Sequence, residues 1–227
     1  GLSIDTNVSG WSAMVNSGGT LGSGQQIAVS QIIPQTAYRP GSDDADIALV
    51  ELSTAVLDPS LQPLYFGDVA AACEGTVLGW GVTSNDTSSA SNTLQEAEIS
   101  VFSQTVCNDA MSDQLTDNMF CAGLQSGGVD TCLGDSGGPL LLEQDGEFRQ
   151  AGITSWGPEV CGEAGQYGVY TKVQNYVDWI QGITGLSDFG TESTSACTVY
   201  SASNTRTSPT PGDTQDSPTG DQDSTSD

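Results

Sequence analysis

Short apolar runs set apart by polar, turn-forming residues govern what this chain can fold into. Over residues 1–182 the runs "DIALVEL" (46–52), "TVLGWG" (76–81), "PLLLEQ" (139–144) and "YGVYTKV" (167–173) are separated by Gly, Asn, Asp and Ser. Runs of this length suit strands better than helices, and the residues between them supply the backbone conformations that tight turns need. The pattern predicts an antiparallel all-β domain. Two segments depart from it. In "TKVQNYVDWI", Val173, Tyr176, Val177 and Ile180 fall at i, i+3, i+4 and i+7 and form one apolar helical stripe. A shorter helix is predicted to start in "SQTVCNDAM", with Ser103 as its N-cap.

After Gly185 the composition changes. The stretch "SASNTRTSPTPGDTQDSPTGDQDSTSD" has almost no apolar side chains and much Ser, Thr, Pro and Asp. Burial cannot offset the entropy of ordering such a backbone. The sequence therefore predicts a folded domain over residues 1–185 and a disordered tail over residues 186–227, with the Ser/Thr/Pro content of O-glycosylated segments.

Charge and cysteine content narrow the partners. Net charge is −25, from 29 acidic residues against four basic ones, Arg39, Arg149, Lys172 and Arg206. Nucleic acid and anionic membrane surfaces would be repelled, whereas a basic substrate would be attracted. No stretch approaches the roughly 18 consecutive apolar residues of a membrane span. Six cysteines, 28 glycines and the sequons Asn7-Val8-Ser9 and Asn85-Asp86-Thr87 indicate an oxidising, extracellular setting. There is no C-x-x-C and no histidine, so no zinc site is expected.

Chemistry concentrates in "DTCLGDSGGPLL" (130–141). A hydroxyl attacks well only when a base takes its proton or when donors stabilise the oxyanion that forms. Glycines on both sides of Ser136 permit a φ-positive turn in which successive N–H groups point into one concavity, with Gly134 and Ser136 as the oxyanion donors. An isolated G-x-S-G would be no more than a hairpin turn, but here the motif has company.

"GDSGGP" resembles the nucleophile motif of the chymotrypsin/trypsin-like (S1) serine proteases, and further stretches resemble that family in the same order. These are "DDADIALVEL", "LGWG" (78–81), "MFCAG" (119–123), "ITSWG" (153–157) and "YGVYTKVQNYVDWI". The resemblance covers residues 10–181. It implies a double antiparallel β-barrel with a C-terminal α-helix, Ser136 as nucleophile and Asp46 as the triad carboxylate. It implies that Asp130 stands at the base of a trypsin-type S1 pocket, with Gly157 and Gly168 as side-chain-free walls and Ser155, Trp156 and Gly157 lining the substrate backbone. A monomer acting on polypeptides with Lys or Arg at the cleavage site follows.

The resemblance also implies disulfides Cys107–Cys121 and Cys132–Cys161, while Leu142 stands where the family has another cysteine; this leaves Cys73 and Cys197 as the expected third pair. No cofactor is expected. Tyr167 replaces a Pro of trypsins, and family members without that Pro often bind Na⁺ near S1, which marks where one would sit. "NSGGTLGSGQQ" (16–26), near the calcium loop of some relatives, has no carboxylate, and no calcium is expected there.

The family's Ile-Val-Gly-Gly-like terminus, Cys-Gly-Gly strand and Ala-Ala-His-Cys segment have no counterpart among the 227 residues. The family histidine precedes its aspartate by about 45 positions, which puts the base at or just before residue 1. The expectation is an incomplete first barrel, an inactive chain, and an Asp135 carboxylate without its usual cation. Because Ser136, Asp46 and Asp130 are kept while one block is missing, a protease lacking its first segment is favoured over an inactive homologue acting as a secreted binding or inhibitor protein.

Overall fold

Ten strands, two α-helices and a 3₁₀ turn make up residues 4–69, 73–85, 89–112 and 114–190, the part of the chain described by the computed structural model. In chain order the elements are β1 (Ser12–Val15), β2 (Gln25–Pro34), β3 (Ala48–Leu52), β4 (Tyr65–Phe66), β5 (Glu74–Gly79), β6 (Gln95–Val101), α1 (Gln104–Ala110), β7 (Met119–Gly123), β8 (Pro139–Gln144), β9 (Glu147–Trp156), β10 (Gly168–Lys172), the 3₁₀ turn (Val173–Tyr176) and α2 (Val177–Thr184). Strands β1, β2 and β3 form an antiparallel sheet in that order. The second sheet runs β10-β7-β6-β5-β8-β9-β4, and β10 also pairs with β9. Six antiparallel strands therefore close into a barrel, and β4 adds to β9 in parallel outside it. This is the trypsin-like arrangement that the sequence predicts, with the first sheet left open among the described residues.

The closed barrel is filled by side chains from alternating strand positions, including Val77, Ile99, Phe120, Leu140, Leu142 and Tyr170. Gly152 makes that packing feasible, since a Cβ there would lie 2.7 Å from the Phe120 ring and 3.1 Å from Tyr170 Cβ. A second cluster sets α1 against the barrel through Cys107, Met111, Met119, Tyr167 and Val169. Ser103 Oγ accepts the Val106 N–H at 3.3 Å, the N-cap that the sequence predicts.

A third cluster links the two sheets and positions the site. Ala45 and Ile47, just ahead of β3, pack with Val173, Tyr176 and Ile180. The apolar stripe of "TKVQNYVDWI" thus grips the backbone on either side of Asp46. It does so partly as a 3₁₀ turn, since α2 begins only at Val177. Gly185 ends α2 at φ 72°, with its N–H on Gln181 O, a left-handed C-cap that favours glycine.

The chain stays packed for five residues past Gly185, further than the sequence predicts. Phe189 stacks on Phe66 with centroids 5.3 Å apart, and Phe189 O accepts the Phe66 N–H at 2.9 Å. Arg149, buried in β9, lies 5.5 Å over the Tyr65 ring, donates to Gly190 O and approaches Asp145 at 3.8 Å. Residues 191–227, including the rest of the predicted tail, lie outside the described part.

The Cys107–Cys121 and Cys132–Cys161 disulfides are present, with Cα separations of 5.6 and 5.5 Å. Cys73 is fully buried and disulfide-bonded; its expected partner, Cys197, lies outside the described residues. No described helix is long and apolar enough to cross a membrane.

Candidate active site

The Gly134–Gly138 turn is held by backbone bonds at both ends. Asp135 N–H donates to Cys132 O at 3.0 Å and Gly138 N–H to Asp135 O at 2.8 Å. Gly137 N–H donates to Thr154 O and Thr154 N–H to Gly138 O, each at 2.9 Å, which fastens the turn to β9. Gly134 and Gly137 have φ of 95° and 83°, conformations that a side chain at Cβ would oppose. Ser136 is exposed, and neither its N–H nor that of Gly134 is spent on another described residue.

Asp135 departs from expectation. Its carboxylate is not orphaned: Oδ1 accepts the Gly81 N–H at 2.7 Å and Oδ2 the Cys132 N–H at 2.9 Å. Two backbone donors offset much of the cost of burying a carboxylate without a cation. The motif "LGWG" makes room for it, because a Cβ at Gly79 or Gly81 would collide with that carboxylate. This role of the two glycines was missed in the sequence, where their two-residue spacing at the end of a strand was the available signal.

Asp46 is joined to the opposite barrel. Ser155 Oγ donates to Asp46 Oδ2 at 2.6 Å, and Thr171 Oγ1 donates to the Asp46 backbone oxygen at 2.8 Å. Ser155 shares a cavity of about 180 Å³ with Ser136, Trp156, Gly157 and Gly168, so five of the residues singled out in the sequence line one space. Gly157 and Gly168 adjoin in its lining, a Cβ on Gly157 falling 3.6 Å from Gly168 Cα.

Asp130 lies behind that wall rather than in the lining. A Cβ on Gly168 would come within 2.8 Å of Asp130 Oδ1, while the carboxylate itself borders an adjoining cavity of about 220 Å³ beside the Cys132–Cys161 bridge. It accepts N–H groups from Thr131 at 2.8 Å and Gly162 at 3.4 Å. Burial raises its pKa above the ordinary 3.8, outweighing the hydrogen bonds that lower it. Tyr167, marked in the sequence for Na⁺, is buried against Phe102 with ring centroids 4.1 Å apart.

The raised pKa has a testable sign. The fold favours protonated Asp130, so this group's contribution to stability is present below its unfolded pKa and is lost as pH rises through the higher folded value. Asp130→Asn is accordingly expected to raise the melting temperature at neutral pH, with the gain fading on acidification through that window. Calorimetric melts of both proteins from pH 3 to pH 7 check this; a variant less stable than wild type at neutral pH would contradict it.

A family model described as Trypsin matches residues 3–180. Human kallikrein-8 is 40% identical over 167 residues, covering 71% of this chain and 62% of that protein. Limulus clotting factor C from Carcinoscorpius rotundicauda is 40% identical over 162 residues, covering 63% of this chain and 16% of the relative. The chain thus spans less than two thirds of these relatives' length. Among solved structures, neuropsin, a serine protease expressed in the limbic system of mouse brain, superimposes with a TM-score of 0.64 and 36% identity, over 70% of this chain and 71% of the other.

Proposed function

The chain belongs to the trypsin family of serine proteases, and on that premise we propose that it supplies the nucleophile, triad carboxylate and specificity pocket of a secreted endopeptidase that cleaves after Lys or Arg. Ser136 Oγ attacks the scissile carbonyl, and the Gly134 and Ser136 N–H groups receive the charge that develops on its oxygen. Asp46 orients and stabilises a protonated imidazole. That imidazole is not among the 227 residues, which include no histidine, so the chain on its own is inert. The substrate backbone lies along Ser155–Gly157 as an added strand. Its P1 side chain passes Gly157 and Gly168 toward the Asp130 carboxylate, and no cofactor takes part.

The observation that carries this reading is the 2.6 Å bond from Ser155 to Asp46. It brings a carboxylate from the N-terminal half of the chain to the rim of the cavity that holds Ser136. The two disulfides among the described residues suit an extracellular setting, and the charge of −25 favours the approach of basic substrates. The test is a cleavage profile for a polypeptide in which this domain follows a histidine-bearing segment. Cleavage after Lys and Arg supports the reading, and cleavage after apolar residues overturns its specificity. No cleavage, with peptide binding retained, would favour the non-catalytic binding homologue.

A further inference from the structure

The sequon Asn85-Asp86-Thr87 is not used by the proposed chemistry, yet its asparagine touches the loop behind the specificity pocket. Asn85 is exposed, and its side-chain amide grips a single backbone residue: Nδ2 donates to Cys161 O at 3.1 Å while Oδ1 accepts the Cys161 N–H at 3.2 Å. A few residues earlier, Val82 N–H donates to Leu133 O at 2.9 Å, so the segment is tied at two points. Asn85, Cys161 and Asp130 border the same cavity of about 220 Å³. The next N–H after Cys161, that of Gly162, is the one that reaches Asp130.

We propose that Asn85 is an N-glycosylation site at which the glycan and the grip on Cys161 exclude each other, so that occupancy sets how firmly the loop behind Asp130 is held. In the modification, Asn85 Nδ2 bonds to the anomeric carbon of a lipid-diphosphate oligosaccharide. The carbon–oxygen bond to the diphosphate breaks, the lipid diphosphate leaves with its electron pair, one N–H proton passes to solvent, and nothing is oxidised or reduced. The product is a secondary amide, which takes the trans form as a peptide does, with the sugar carbon on the side of Oδ1.

A two-bond contact with one residue uses that same side, where Oδ1 and the N–H syn to it point in parallel. The sugar replaces the hydrogen that Cys161 O accepts, and its bulk fills the approach to Oδ1. The N–H that remains points away from Cys161. A glycosylated Asn85 therefore releases Cys161 and loosens the Gly162 donor of Asp130. The attachment needs Asn85 exposed, as it is, and a secretory route, as proposed above.

The test does not need an active enzyme, so its failure is separable from failure of the endopeptidase reading. The chain is secreted from a glycosylating eukaryotic host and its peptides are mass-mapped after enzymatic removal of N-glycans, which leaves aspartate at each formerly occupied asparagine. Asn85 is expected to be occupied. Amide exchange at Cys161 and Gly162 is then compared with that of Thr87→Ala, which lacks the sequon but keeps the Asn85 amide. Wild-type protein made with N-glycosylation inhibited gives the same comparison without a substitution. The glycosylated chain is expected to exchange roughly tenfold faster at Cys161, the scale on which a lost hydrogen bond changes local opening. An unoccupied Asn85, or an occupied one with unchanged exchange at Cys161, would overturn the proposal.

Discussion

A serine-directed phosphonate is expected to leave Ser136 unlabelled when the 227-residue chain is the only protein present. Phosphonylation uses the same machinery as peptide attack: the hydroxyl must lose its proton as the new bond forms. Asp46, the carboxylate proposed to orient the base, is hydrogen-bonded to Ser155, and no described residue hydrogen-bonds the Ser136 hydroxyl. The donors at Gly134 and Ser136 remain, but losing the histidine of a serine triad costs about 10⁶-fold in turnover even when such donors stay in place. Intact mass after an overnight incubation is the measurement. A stoichiometric adduct on Ser136 would mean that another group activates it, and would end the assignment of Asp46 as partner to a missing base. Joining the domain to a histidine-bearing segment is expected to bring labelling back.

The second large effect lies behind the cavity wall. Asp130→Ser is expected to weaken binding of benzamidine, and of peptides ending in Arg, by about a hundredfold or more, the loss that follows when one partner of a buried, hydrogen-bonded charge pair is removed. Peptides ending in Leu should bind the variant and wild type alike. Asp130 Oδ1 lies just behind Gly168, within 2.8 Å of where a Cβ would stand. Its oxygens accept from the Thr131 and Gly162 N–H groups and from the Thr131 hydroxyl, and a carboxylate has lone pairs for a guanidinium besides. Calorimetric titration of the chain as it stands decides the matter without turnover. Equal losses for Arg and Leu peptides would show a collapsed pocket rather than a missing charge, and no loss would remove Asp130 from the specificity role.

What could be read from the sequence was whatever leaves a mark in residue identity. The run "GDSGGP" records the φ-positive backbone at Gly134 and Gly137, and the i, i+3, i+7 spacing of Val173, Tyr176 and Ile180 records a buried stripe. Ser103 ahead of an apolar turn records an N-cap. What could not be read depends on backbone groups, which every residue carries. The donors to Asp135 are the N–H groups of Gly81 and Cys132, so no cationic side chain announced them and the carboxylate looked unpartnered. Packing beyond Gly185 escaped notice for a related reason, since a single aromatic, Phe189, stacked on Phe66 is too little for a periodic signal. Asp130 was singled out because its place six residues before Ser136 resembles that of a pocket carboxylate. Its position behind Gly168, rather than in the lining of the cavity, follows from its hydrogen bonds to Thr131 and Gly162.

Arg149 has a consequence for how long such a molecule lasts. For the proposed endopeptidase, the described part of the chain holds three residues of the kind it is proposed to cut after. Arg149 is sealed in β9, with its guanidinium on Tyr65 and Gly190, and no neighbouring active site could draw it out without unzipping the barrel. Lys172 ends β10, its backbone N–H on Asn118 O and its ammonium on Asp117 O. Arg39 is exposed, but the following bond leads into Pro40, which has no N–H to pair with when a segment is bound as an added strand. Scarcity of cations, which first reads as a matter of partners, would thus leave the folded domain a poor meal for the endopeptidase proposed.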